Sequence, residues 1–195
     1  MNKAQETKLF ILENALTLAR KIGFESLSIG ELAKKVGMSK SGLFAHFNSK
    51  ETLQIMILEH AAYEFQKNVT QKAIKKPRGV SRLRALMENW SQWSTEDMNG
   101  SCPLISASIE FDDRPGEVQD KVKELLLDLH NVLKRACEIC QEEGEFDSEV
   151  DPNQIAQELF SYELAYHLYK KTIGDKKAKQ RFTNSINNLI KRYSV

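Results

Sequence analysis

The feature that most constrains this chain is a pair of helix caps set so close together that the helices they start must be short. Ser28-Ile29-Gly30-Glu31 has the form of a capping box, in which Ser28 caps a helix and Glu31 reaches back to the Ser28 amide. Leu32, Ala33 and Val36 give that helix an inward face, and Gly37 stops it. Ser39 then caps a second short helix, from Lys40 to about His46, with Leu43 and Phe47 turned inward. Ahead of both, Leu12, Ala15, Leu16, Ala19 and Ile22 recur at helical spacing, and Gly23 ends that run with Phe24 placed to fold back onto it. Two short helices joined by a tight glycine turn and backed by an amphipathic helix make a helix-turn-helix unit. The second helix is polar outside and begins with Lys40 and Ser41. Its N-terminus therefore suits a DNA major groove, and its dipole attracts phosphate.

Helical periodicity continues to the C-terminus, with no sustained period-2 alternation, so the expected fold is all-α with about nine helices. Asn48 or Ser49 caps a long fourth helix carrying Leu53, Met56, Ile57, Ala61, Phe65 and Val69 on one side. Lys75-Lys76-Pro77-Arg78-Gly79 reads as a hinge between head and body. Further helices are expected over about Val80–Trp93, from Pro103, over about Glu117–Glu143, from Pro152 to about Lys171, and over about Lys176–Tyr193. The expected division is a DNA-binding head over residues 1–50 and a helical body over 51–195, linked through the helix from about residue 50. Charge follows the same division. Residues 1–50 carry eight Lys/Arg against four Glu, a net +4, whereas the remainder nets −3, as suits a polyanion-binding head on a body with another task.

The run from Ile11 to Leu53 resembles the DNA-binding head of TetR-type transcription regulators along nearly its whole length. The matching pieces are Gly23-Phe24, Ser28 with Glu31-Leu32-Ala33, Val36-Gly37-Met38-Ser39-Lys40, Leu43-Phe44, His46-Phe47 and Ser49-Lys50-Glu51. The resemblance implies that Ser28, Ser39, Phe44, His46 and Lys50 contact or flank phosphates, and that Lys40, Ser41 and Gly42 read bases. Phe44 departs from the pattern, standing where a tyrosine hydroxyl is common. Gly42 and Gly30 also lie inside helices, where glycine costs roughly 1 kcal/mol relative to alanine.

For the body, the resemblance implies dimerisation through the last two helices. Leu159, Tyr162 and Tyr166 of one and Phe182, Ile186, Leu189 and Ile190 of the other are the expected interface. It also implies a small-molecule pocket, for which Met87, Trp90, Trp93, Ile105, Ile109, Phe111, Leu126 and Leu129 are the apolar candidates. With no charged cluster evident there, a largely apolar or aromatic effector is expected. Cys137 and Cys140, with His130 on the same face, could suggest a redox or metal site. The mid-helix setting among Leu126, Leu129 and Leu133 instead favours buried thiols acting as small hydrophobes. Cys102 stands apart, near the expected pocket mouth. No phosphate loop, nucleophile elbow or metal-ligand cluster points to an enzyme, and no cofactor or metal is expected. The only apolar stretch near the N-terminus, Leu9–Leu12, is too short for a signal-peptide core, and no apolar run reaches the ~20 residues that span a bilayer, so a cytoplasmic location with no membrane partner is expected. The expected function is a ligand-responsive regulator, foremost a repressor that leaves a palindromic DNA operator when a small molecule binds. The alternatives are an activator of the same fold, or a helical ligand- or protein-binding module that has lost DNA binding.

Overall fold

The computed structural model describes residues 3–95 and 102–195. They are helical throughout, with an isolated bridge between Phe146 and Ser194 as the one β contact among them. They form two compact units, one within Met1–Tyr63 and Met98–Leu125, the other within Glu64–Asp97 and Leu126–Val195.

In the first unit, α1 (Lys3–Ile22) packs on α2 (Ile29–Val36), and α2 packs on α3 (Lys40–Phe47). Ile11, Ala15, Leu16 and Ala19 of α1 meet a core that includes Phe24, Leu27, Leu32, Leu43 and Phe47, all essentially without solvent exposure. Ile22 lies outside that core, 42% exposed, because it falls on the last turn. α4 (Lys50–Phe65) adds Leu53 and Ile57. Its cap is Ser49, whose Oγ accepts from the Thr52 amide at 3.0 Å, while Asn48 ends α3 at a positive φ of 62°. α7 (Pro103–Glu110) packs against α1, and Cys102, which precedes it, is fully buried.

In the second unit the chain passes through a π-helical turn (Gln66–Thr70) into α5 (Gln71–Ile74), which packs on α6 (Val80–Thr95). The expected hinge at 75–79 lies inside this unit and is tied down. Arg78 pairs with Glu142 and Glu143, and the Val80 amide donates to the Glu145 carboxylate. Proline and glycine here make a tight turn rather than a joint. α8 (Glu117–Glu142) contributes Leu129, Leu133, Cys137 and Cys140 to the core. α9 (Pro152–His167), capped by Asp151, continues through a second π-helical turn (Leu168–Ile173), and α10 (Ala178–Tyr193) packs on both α9 and α6. Counting α4, its π-turn and α5 as one continuous rod, and α9 with its π-turn as another, gives nine rods among the described residues.

Candidate nucleic-acid interface

The caps deduced for α2 and α3 are made, with one difference of detail. Ser28 Oγ accepts from the Glu31 amide at 3.1 Å, but the Glu31 carboxylate takes the Ser28 hydroxyl proton instead of the Ser28 amide. The Ser28 hydroxyl is thus already committed, and a phosphate would compete with a carboxylate for it. Gly37 closes α2 at φ 69°. Ser39 Oγ accepts from the Gly42 amide at 3.0 Å and lies 3.2 Å from Ser41 Oγ.

α3 is held from below by Leu43 and Phe47, both buried, and turns Ser39, Lys40, Ser41 and Phe44 to solvent, with Gly42 and His46 half-buried. Phe44 is 49% exposed, an apolar ring set among polar neighbours on the outer face. The two helix-interior glycines acquire a local reason. A Cβ on Gly42 would stand 3.1 Å from Ser39 Oγ and crowd the cap, and one on Gly30 would stand 3.0 Å from Cε of Lys40. Gly30 leaves room for the Lys40 side chain to lie across α2.

Lys50, expected to contact or flank a phosphate, is engaged within the chain. Its ammonium donates to the Glu25 carbonyl at 2.6 Å and pairs with the Glu25 carboxylate at 3.2 Å. The other Glu25 oxygen pairs with Arg114, and the Glu25 amide donates to Glu110 at the end of α7. The two cations hold the Glu25 carboxyl below its ordinary range, against a desolvation effect in the other direction that is the largest single influence. Sequence reasoning missed this cluster because its members come from distant parts of the chain, Glu25 and Glu110 being 85 positions apart and Arg114 lying farther still.

Against known families, residues 11–55 match the model for bacterial regulatory proteins of the tetR family, and residues 79–186 match that for the tetracyclin repressor-like C-terminal domain. The chain belongs to the TetR family. Over 166 residues it is 24% identical to the HTH-type transcriptional regulator TtgR of Pseudomonas putida, covering 82% of this chain and 78% of that protein. Over 51 residues, 26% of this chain and 24% of the relative, it is 41% identical to the HTH-type transcriptional regulator AcrR of Shigella flexneri. A TetR transcriptional regulator from Chloroflexus aurantiacus superposes with a TM-score of 0.89 at 19% identity, covering 100% of this chain and 98% of the other. AibR, solved in complex with isovaleryl coenzyme A and operator DNA, superposes with a TM-score of 0.75 at 24% identity, covering 94% and 98%. This TetR-family chain is therefore a helix-turn-helix transcription regulator, of a family of regulators rather than enzymes, and no described helix is long and apolar enough to cross a membrane.

The body residues deduced from sequence fall into several settings. Met87, Trp90, Trp93, Ile105, Phe111 and Leu129 are buried and Leu126 is half-buried, but Ile109 is 60% exposed. Ile109 shares a helical face with the buried Ile105 one turn earlier, but it lies in the last turn of α7 and is left in solvent. Ile105, Ile109 and Phe111 belong to the first unit and the others to the second. Phe65 meets both Trp90 and Trp93 edge-on at 5.6 Å. Of the expected dimer residues, Leu159, Tyr166, Phe182, Ile186, Leu189 and Ile190 are already buried within one chain, and Tyr162 is half-buried. They form the seam of α9 with α10 and the core beneath. Among the described residues of α9 and its π-turn extension, the large apolar side chains that stay exposed are Leu164, Leu168, Tyr169 and Ile173.

Two chemical details complete the body. Cys137 and Cys140 are buried, and burial pushes both thiols up, Cys140 to about 12. They sit as small hydrophobes do. Glu163 is fully buried in α9, beside Ser94 Oγ at 2.7 Å, and burial pushes its carboxyl up to about 8 against the opposing pull of Ser94 and Lys179.

Proposed function

We propose that the protein is a ligand-responsive repressor that binds a palindromic operator as a homodimer and leaves it when a small molecule occupies the body. The observation that carries this reading is α3, a short helix pinned by Leu43 and Phe47 that offers Lys40 and Ser41 to solvent from its capped N-terminus. In that placement Lys40, Ser41 and Gly42 reach base edges, and Ser28, Ser39, Phe44, His46 and Lys50 contact or flank the phosphates on either side. Residues 1–50 do the reading, and the helices from residue 51 onward carry the effector and dimer contacts. That AibR was solved with both a small molecule and operator DNA supports a two-ligand cycle for this fold. The exposed Leu164, Leu168, Tyr169 and Ile173 support pairing of two copies through α9 and its π-turn extension. Release is a population shift, which requires the effector to bind the conformation that does not fit DNA more tightly, with a coupling of ~1–3 kcal/mol.

The test is selection of genomic fragments on the purified protein, with Lys40→Ala beside it. The expected result is a shared palindrome that the variant fails to enrich, with affinity falling steeply as salt rises. Equal enrichment by the variant would overturn the role given to α3.

A further inference from the structure

The second unit contains a groove of about 380 Å³ between α5, α6 and α8 that neither the DNA-reading face nor the exposed face of α9 uses. Its volume is at the small end of the range for small-molecule sites. The walls are apolar: Ala73, Leu86 and Ile139 are buried beneath it, Val132 and Ala136 line one side, and Ile74 stands 55% exposed at the rim. An exposed isoleucine beside a concave apolar surface is a group that a ligand can cover at no further cost of opening. The groove reaches the π-helical turn at Thr70, an irregularity that widens the space between neighbouring turns and recurs at functional sites. The Asn89 side chain donates to the Val69 carbonyl in that turn at 3.2 Å.

Charge decides the occupant. Arg82 lines the groove, and its Nε and Nη2 donate to the Lys76 carbonyl at 3.3 and 3.1 Å, which fixes the guanidinium in place while it pairs with no carboxylate among the described residues. The second arginine at the groove, Arg135, is neutralised by Glu138 and Glu142, and Arg78 is neutralised by Glu142 and Glu143. The acids near the groove are thus already spent. Lys72, Lys75 and Lys76, in and just after α5, are exposed and make no ion pair among the described residues. An apolar trough ending in an oriented guanidinium favours an amphiphile with an anionic head and disfavours a cationic one.

We propose that this groove binds a medium-chain carboxylic acid, its chain on Leu86, Val132, Ala136 and Ile139 and its carboxylate on Arg82. The inference deepens the reading above by naming the chemistry of the effector, and rests on that reading only for the consequence at DNA.

The experiment is calorimetric titration of the full chain with octanoate, octanol and octylamine, repeated on Arg82→Gln and Ala136→Phe. Octanoate is expected to bind about tenfold more tightly than octanol, the order of one partly exposed charge-assisted hydrogen bond, and octylamine more weakly than either. Arg82→Gln should remove the difference between acid and alcohol, and Ala136→Phe should abolish both by filling the trough. If Ala136→Phe fails to fold, Arg82→Gln keeps the test decisive, since its side chain is only half-buried. Absence of octanoate binding, octylamine binding as well as octanoate, or an unchanged preference in Arg82→Gln would each overturn the site. Octanoate is then added to the protein bound to its selected DNA. Release supports the acid as effector, whereas binding without release leaves the groove standing and counts against the effector reading.

Discussion

Lys50 and Glu163 show how strongly a side chain's meaning depends on groups that sequence position does not reveal. Lys50 is part of a four-member cluster in which Glu25 takes its ammonium on one oxygen and Arg114 on the other. Removing the acid's charge should release the cation toward a phosphate. Glu25→Gln is expected to raise DNA affinity and steepen its salt dependence by up to about one counterion. A fluorescence-anisotropy salt titration of both proteins checks this, and an unchanged slope would mean that Lys50 never reaches DNA. Glu163 is the opposite case, an acid whose folded value of about 8 exceeds its ordinary value of 4.5. Between those values the folded chain holds a proton that the unfolded chain has lost. This group's contribution to stability is therefore fully present below about pH 4.5 and is lost as pH rises toward 8. Glu163→Gln should flatten the fall in melting temperature between pH 6 and 8.5 and stabilise the protein at the alkaline end, by an amount on the order of a few kcal/mol.

At the scale of the element, the helix boundaries are set by caps, and caps differ in what surrounds them. Gly37 and Gly79 both sit at positive φ, at 69° and 85°. Nothing stands within 4 Å of where a Cβ would be at Gly37, whereas at Gly79 it would fall 1.8 Å from an oxygen of Glu145, the same carboxylate that caps the Val80 amide. Gly37→Ala should therefore cost only the left-handed backbone strain, roughly 1 kcal/mol. Gly79→Ala adds loss of the Glu145 cap and should cost at least about twice that. Chemical denaturation of the two variants measures both, and equal losses would show that the turn at 75–79 tolerates displacement of Glu145. The same contact explains why the Pro-Gly segment is no hinge. Local composition marks a turn, but only the acid arriving from 65 positions away decides whether the turn is held.

At the scale of the whole molecule, the proposed function depends on two copies. A palindrome is read by two recognition helices, and half-site affinity alone is weak. Among the described residues, Leu164, Leu168, Tyr169 and Ile173 are the apolar side chains that α9 and its extension leave exposed. Leu164→Glu with Leu168→Glu should give a folded monomer by sedimentation, with operator affinity reduced more than a hundredfold and with far-UV dichroism retained. Dimerisation that survives both changes would place the pairing surface elsewhere. The residues first chosen from sequence would make a worse test. Leu159, Phe182, Ile186 and Leu189 are core within one chain, and changing them would unfold it.

What the sequence determined by itself was everything governed by short-range rules. The caps at Ser28, Ser39 and Asp151, the stops at Gly23 and Gly37, the inward spacing of Leu32, Leu43 and Phe47, and the family pattern over residues 11–53 all depend on residues within a few positions of each other. Helical chemistry of that range is the same in any surroundings. Tertiary structure alone decided which apolar face meets which neighbour. A helix apolar over most of its circumference, such as α9, gives no local sign of which stripe its own chain will cover. So Leu159 went inward and Leu168 outward, Ile109 turned to solvent, and Lys50 found Glu25. The Arg82 groove and the buried Glu163 were equally invisible. Each is made by residues from different helices, and burial and charge pairing are properties of the packed arrangement rather than of any segment within it.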